Sequence, residues 1–269
     1  MGTGKFLRIA RILRPQTKRT VIIAADHGNY AGPMRGLEDP VRAVEAAANA
    51  GADAVIVNIG TLRKLPAYAA GRLGIILRID GGHTIMHPDK SPNSTLTSTV
   101  EFAVQSGADA VVAMGYLGTQ RETESLATLG QVASACNHYG LALVAEMLPF
   151  DHLNKPAYTG EYVELAARVG SEIGADLVKT YYTGSLESFS RVVHGSLCPV
   201  VALGGAKMES KERVLETAEA AVKAGGAGIA FGRNVWQSDN PEGMVKALVE
   251  IIHEGKPASQ AVSQLEERR

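Results

Sequence analysis

One short phrase recurs through the chain and constrains its fold more than any other feature. Gly51-Ala52-Asp53-Ala54-Val55 returns as Gly107-Ala108-Asp109-Ala110-Val111 and as Gly174-Ala175-Asp176-Leu177-Val178, with a degraded copy at Gly226-Ala227-Gly228-Ile229-Ala230. Each copy follows an alanine-rich amphipathic stretch and opens a short apolar run. A glycine there suits the left-handed residue that ends a helix. The apolar run after it suits a strand buried on both faces, as in a parallel sheet. Eight strands are expected, over residues 21–27, 52–60, 74–80, 108–116, 141–148, 175–182, 199–205 and 228–234, with helical patterns between most of them. The segment 61–72 holds Pro66, which weakens any helix there. With no linker and no composition shift in 269 residues, the pattern predicts an α/β fold. It is a single (β/α)8 TIM barrel over 21–256, with a short N-terminal helical extension over 1–20 and a polar, loosely held tail over 257–269. The competing arrangement is an open doubly wound sheet, but no GxGxxG follows the first strand.

Charge and composition then exclude whole classes of function. Lys plus Arg is 27 against 28 Asp plus Glu, so no global basic field exists to hold nucleic acid. No apolar run reaches the ~18–20 residues of a membrane span. The two cysteines, Cys136 and Cys198, cannot build a disulfide framework or a four-thiolate zinc site, which points to a reducing cytoplasm. At the N-terminus, Lys5, Arg8, Arg11 and Arg14 interleave with Phe6, Leu7, Ile9, Ile12 and Leu13. That amphipathic stretch reads as a helix closing one end of the domain or docking on a neighbouring subunit, in preference to one that touches a membrane.

In a barrel of this kind the chemistry sits where the strands end. Those ends are Asp26 and His27, Asn58, Asp80, Tyr116, Glu146, Lys179, Gly204 and Gly205, and Gly232 and Arg233. The aspartates of the repeat lie at the opposite end and read as structural turn acceptors. Lys179 is the sharpest signal: it interrupts an apolar strand and shares a face with Leu177 and Tyr181. A buried ammonium tends to lose its proton, and a neutral amine can attack a carbonyl to form a Schiff base. The other reading is a lysine paired with Glu146 or Asp26. Gly204, Gly205, Gly232 and Arg233 fall at the ends of the seventh and eighth strands, where barrels often bind phosphate through backbone N–H groups. Arg233 can add charge there or be structural. Asp26 and His27 could act in acid/base chemistry or simply tie down the loop that follows. His83 and His87 are four apart, but Gly81, Gly82 and Pro88 argue for a loop and against a metal pair.

These residues carry a resemblance. Asp26-His27-Gly28 with Gly32-Pro33, the stretch from Ala175 through Lys179-Thr180-Tyr181-Tyr182 to Gly184, Gly204-Gly205-Ala206-Lys207, and Gly232-Arg233-Asn234-Val235-Trp236-Gln237 make the chain similar to one class I aldolase family. That family contains the archaeal-type fructose-bisphosphate aldolases, the amino-dideoxy-heptulosonate synthases and the autoinducer-2 degradation thiolase, and the resemblance spans residues 21–253. It implies a Schiff base on Lys179, with Asp26 beside it and the glycine clusters holding a substrate phosphate. The implied activity is a metal-independent class I aldolase acting on a phosphorylated keto sugar or related phosphorylated ketone, with no cofactor. Two alternatives are a thiolase-like acyltransferase cleaving a phosphorylated diketone with coenzyme A, and a non-catalytic sugar-phosphate-binding barrel. A homo-oligomer is implied, with a decameric ring as one form.

The sequence departs from the family at one point. The aldolases and synthases carry Tyr-Pro at the end of the fifth strand, whereas here the stretch is Glu146-Met147-Leu148-Pro149. Leu148 cannot move a proton, so the acid/base falls to Glu146, Asp26, His27 or Tyr116. An apolar wall including Leu148 is expected to push the Glu146 pKa upward.

Overall fold

The computed structural model describes residues 2–89 and 91–267. Eight parallel strands close into a barrel: β1 (Thr20–Ala24), β2 (Ala54–Val57), β3 (Gly74–Arg78), β6 (Ala110–Leu117), β7 (Ala142–Pro149), β8 (Leu177–Tyr181), β9 (Val200–Leu203) and β10 (Gly228–Phe231). Two short strands, β4 (Asp80–Gly82) and β5 (Ser94–Leu96), form an antiparallel hairpin between β3 and β6. The helices are α1 (Thr3–Ile12), α2 (Gly28–Ala31), α3 (Pro40–Asn49), α4 (Ile59–Leu62), α5 (Ala67–Ala70), α6 (Val100–Gln105) and α7 (Glu122–Tyr139), then α8 (Gly160–Ile173), α9 (Leu186–Gly195), α10 (Lys211–Lys223), α11 (Arg233–Trp236), α12 (Pro241–Glu254) and α13 (Ala258–Glu267). The (β/α)8 barrel expected from the repeat is the fold observed.

The repeat works as its residues suggest. Gly51, Gly107 and Gly174 have φ of 82°, 80° and 112°, a region open to glycine at little steric cost. They turn the chain from helix to strand. In the degraded copy the left-handed residue is Gly225 (φ 94°), just before the glycine the pattern suggested. Each strand then alternates between two cores. Ile22, Ile56, Ile76, Val112, Val144 and Leu177 fill the barrel interior. Val21, Val55, Leu77, Val111, Leu143 and Val178 face outward into the layer beneath the helices. α1 lies across the N-terminal ends of the strands, and its Ile12 belongs to the interior cluster, with Ile9 and Leu13 packed against it.

Most of the observed strands are shorter than expected: β2 stops at Val57 and β9 at Leu203, so Asn58, Gly204 and Gly205 lie beyond them, and three further ends differ for a local reason. The first strand stops at Ala24, and Asp26 and His27 lie beyond it. The third breaks after Arg78, and Asp80 starts the hairpin; a Cβ on Gly82 would fall 1.9 Å from the Asn93 carbonyl oxygen, so only glycine fits there. The eighth stops at Phe231, and Arg233 opens a one-turn helix. The polar tail expected to be loosely held is in fact helix α13, whose Ala258, Ala261 and Leu265 are buried while the helix packs on α10 and α12.

Candidate active site

Strand parity places the charged residues. Leu177 lies in the interior cluster and Val178 in the outer one, so Lys179 projects inward, 5% exposed. The sheet register sets Met114 beside Glu146 and Glu146 beside Lys179. Lys179 Nζ lies 2.8 Å from Glu146 Oε1. The other Glu146 oxygen accepts a hydrogen bond from Arg78 Nη2. Arg78 also donates from Nε to Asp26 Oδ2 at 2.8 Å and from Nη1 to Asp80 Oδ1 at 3.0 Å. Asp80 uses its second oxygen to accept the Met114 N–H at 2.9 Å. Three buried carboxylates thus meet two buried cations at the C-terminal mouth of the barrel.

Burial by itself raises a carboxyl pKa. At Asp26 that push is outweighed by Arg78, with help from His27 and Lys179, and the group is held well below the usual carboxylate range. At Glu146 burial is outweighed by Lys179 and Arg78, so its pKa also falls. This corrects the expectation from Leu148. The apolar wall is present, since Leu148 lines the same cavity, but the two cations decide the sign.

The cavity over Lys179 has a volume of about 180 Å³ and is walled by Asp26, His27, Glu146, Lys179, Gly204, Gly205, Gly232 and Arg233, whereas Tyr116, the remaining acid/base candidate, lines a neighbouring cavity. His27 Nδ1 is 3.6 Å from Asp26 Oδ1, beyond hydrogen-bond reach. Its ring meets the Trp236 indole edge-on with centroids 5.4 Å apart. Trp236 Nε1 donates to the Ala24 carbonyl at 3.0 Å, which ties α11 to the end of β1. Gly205 takes a φ of 60°, and a Cβ on Gly232 would lie 2.8 Å from the Ala24 carbonyl oxygen. Arg233 Nη2 donates to the Gly205 carbonyl at 2.8 Å, while its Nε is buried without a partner among the described residues. Asn234 pins the glycine loop by donating to the Gly204 carbonyl at 2.9 Å and accepting the Met208 N–H at 2.8 Å.

A second cavity of about 590 Å³ shares Asp26, Tyr30, Arg78, Met114 and Leu148 with the first. Its far wall is the β4–β5 hairpin with Tyr116 and Phe150. His83 and His87 stack there with ring centroids 3.7 Å apart, and both Nδ1 atoms face the Asp89 carbonyl oxygen. Among the described residues, no group of three or more His, Cys, Asp or Glu side chains is placed to hold a metal ion, and no helix is long and apolar enough to cross a membrane.

Sequence reasoning missed Arg78, the residue that joins Asp26, Asp80 and Glu146. The signal was available. Gly74-Ile75-Ile76-Leu77-Arg78-Ile79-Asp80 sets a charge inside an apolar strand, as at Lys179. Tyr30 was also missed, three residues from His27, which was named.

Residues 20–238 match the DeoC/LacD family of aldolases. An uncharacterized aldolase of Saccharolobus solfataricus is 31% identical over 268 residues, covering 96% of this chain and 98% of that protein. A 3-hydroxy-5-phosphonooxypentane-2,4-dione thiolase of Yersinia pseudotuberculosis is 35% identical over 259 residues, covering 96% and 85%. An archaeal fructose-1,6-bisphosphate aldolase, solved with its catalytic lysine bound to the carbinolamine intermediate, superposes with a TM-score of 0.83 at 31% identity, covering 92% and 99%. The chain belongs to the DeoC/LacD aldolase family.

Proposed function

We propose that this member of the family is a class I aldolase that forms a Schiff base through Lys179 with a phosphorylated keto sugar or related phosphorylated ketone. The observation that carries the reading is the inward Lys179 held 2.8 Å from the Glu146 carboxylate, in a cavity whose opposite wall is Gly204, Gly205, Gly232 and Arg233. Glu146, kept ionised, takes a proton from the ammonium. The free amine adds to the substrate carbonyl, and loss of water leaves an iminium beside that same carboxylate. The iminium draws the electrons of the breaking carbon–carbon bond. The substrate phosphate lies against the glycine backbone and the unpartnered Nε of Arg233. Asp26 and His27 border the reacting carbons from the end of β1.

A second reading, thiolytic cleavage of a phosphorylated diketone with coenzyme A as co-substrate, is favoured by the 35% identity to the thiolase and by Leu148 in the cavity wall. The named relatives are enzymes, which speaks against a non-catalytic barrel. We read the protein as cytoplasmic, since both cysteines are free, and as a homo-oligomer, a decameric ring being one form. No metal or cofactor is required, because the iminium supplies the electron sink a metal would otherwise provide.

Borohydride trapping with phosphorylated ketones, with and without coenzyme A, tests the reading. The expected result is a mass adduct on the peptide holding Lys179, lost in Lys179→Ala, with turnover unaffected by EDTA. An adduct on Lys207, whose exposed Nζ donates to the Gln237 carbonyl at 3.2 Å, would overturn the assignment. Arg233→Ala should weaken a phosphorylated substrate far more than its dephosphorylated form.

A further inference from the structure

Carbon–carbon cleavage through an iminium leaves an enamine, and its carbon must then receive a proton. Asp26 and Glu146 are both held ionised in the free enzyme, so neither brings a proton of its own to that carbon. A neutral acid is needed on the Lys179 side of the cavity. Sheet register identifies one. Tyr116 pairs with Leu148 across β6 and β7, and Glu146 pairs with Lys179 across β7 and β8. Two residues further along each strand, Leu148 and Tyr181 both line the Lys179 cavity. The leucine thus pairs with Tyr116 and shares a cavity wall with Tyr181.

The two tyrosines differ. The Tyr116 hydroxyl is engaged, 2.7 Å from Met114 Sδ, and its ring lines the second cavity. Tyr181 lines the Lys179 cavity, is 8% exposed, and packs its ring on Tyr158 with centroids 4.5 Å apart. Its hydroxyl makes no hydrogen bond to any described residue. Tyr30 also borders the cavity, from α2, where Arg233, Asp26, Glu146 and Arg78 all act on it.

We propose that Tyr181 is a catalytic residue that donates the proton to the enamine carbon. The inference rests on the Schiff-base reading above. As the carbon–carbon bond breaks, its electron pair enters the iminium and gives the enamine on Lys179. The proton of the substrate hydroxyl passes to Glu146. The Tyr181 O–H bond then breaks, a C–H bond forms at the enamine carbon, and the iminium returns. The phenolate recovers its proton from Glu146, so the enzyme ends as it began. Burial, reinforced by Tyr158, Glu146 and Tyr116, pushes the Tyr181 phenol up, so the hydroxyl carries its proton in the free enzyme.

The test uses dihydroxyacetone phosphate as the probe ketone. Exchange of its α-proton in deuterated water, followed by NMR, reports proton transfer; borohydride trapping reports the Schiff base. Tyr181→Phe keeps the ring on Tyr158. It should still form the adduct while exchange slows by roughly 10²–10⁴-fold. Adding Leu148→Tyr to that variant should restore part of the exchange from the neighbouring strand. Unchanged exchange in Tyr181→Phe overturns the proposal. So does parallel loss of adduct and exchange, which marks a structural role, or loss of exchange in Tyr116→Phe instead. If the wild-type protein forms no adduct, the Schiff-base reading itself fails, and that result is distinct from all of these.

Discussion

At the end of the barrel where the strands begin, Asp53, Asp109 and Asp176 each accept a backbone N–H from the start of a neighbouring strand: Val21 at 2.6 Å, Ile75 at 3.0 Å and Leu143 at 2.9 Å. Each also meets a cation from the N-terminal segment: Arg14 at 2.5 Å, Arg11 at 2.9 Å and Lys5 at 2.9 Å. At the end where the strands finish, Asp26, Asp80 and Glu146 meet Arg78 and Lys179. Both ends hold three carboxylates matched with cations. At the first end every carboxylate is anchored to fixed backbone, and nothing can move without opening the sheet. At the second, Asp80 alone among the three uses an oxygen on a backbone N–H within the barrel. The other contacts are between side chains around a cavity, so one lysine can lose a proton and bond to a ligand while its neighbours rebalance the charge. Carboxylates tied to backbone serve the architecture, and carboxylates tied to side-chain cations beside a cavity are free to serve chemistry.

Arg78→Met should break this contrast most severely. The side chain is 3% exposed, and its removal leaves Asp26 without its guanidinium partner. Breaking a buried pair costs about 3–5 kcal/mol, so a loss of that size is expected by chemical denaturation at pH 7, together with loss of turnover. The pH dependence carries a sign. In the wild type the Asp26 pKa is lowered, so its stabilising contribution is present above the unfolded carboxylate pKa and is lost as pH falls through the still lower folded value. Without Arg78, burial dominates and raises the Asp26 pKa above the unfolded one. That contribution is then present at low pH and lost as pH rises. The stability gap between variant and wild type should therefore narrow from pH 7 to pH 5. An equal gap at both would mean that Arg78 does not set the charge state of Asp26.

The same contrast explains what was legible in the sequence. The starting end was readable because its aspartates recur in phase with the glycines that turn the chain, and a periodic polar residue at a strand start has few roles besides accepting a turn N–H. Lys179 was readable because a nucleophile inside an apolar strand is conspicuous. Arg78 carries the same pattern but has no proton to lose, so it offered no chemistry to notice. With Lys179 it reversed the expected shift at Glu146: Leu148 is two residues away in the chain, whereas Arg78 is brought in from two barrel strands away by the pairing of β3, β6 and β7. The β4–β5 hairpin was invisible for another reason. Strands this short, with Gly81 and Gly82 in one of them, show no alternation to detect.

At the starting end, Asp53→Asn should lower stability by about 1–3 kcal/mol while leaving kcat and the trapped adduct intact. Asp53 accepts from the Val21 N–H, Arg14 and His253 Nε2, the last at 2.8 Å. The amide keeps one acceptor but removes the charge and puts a donor where donors already converge. Melting temperature and turnover measured on the same preparation separate the two ends. A drop in kcat per folded molecule would show that the starting end reaches the chemistry after all.

The smallest effect sharpens the comparison furthest. Arg11 and Asp109 meet at 2.9 Å, nearly the 2.8 Å of Arg78 and Asp26, so distance alone predicts similar energies. Exposure separates them, at 67% for the Arg11 side chain and 3% for Arg78. Water screens the first pair, and its flexible cation loses side-chain entropy on pairing; such pairs contribute about 0–1 kcal/mol. After Arg11→Ala, Asp109 still accepts the Ile75 N–H, so the carboxylate keeps its structural partner. The expected loss is under about 1 kcal/mol, smaller again in high salt, where the surface attraction is screened, with turnover unchanged. A loss as large as that of Arg78→Met would mean that the cations of the N-terminal segment, and not the backbone N–H groups, hold the starting end together.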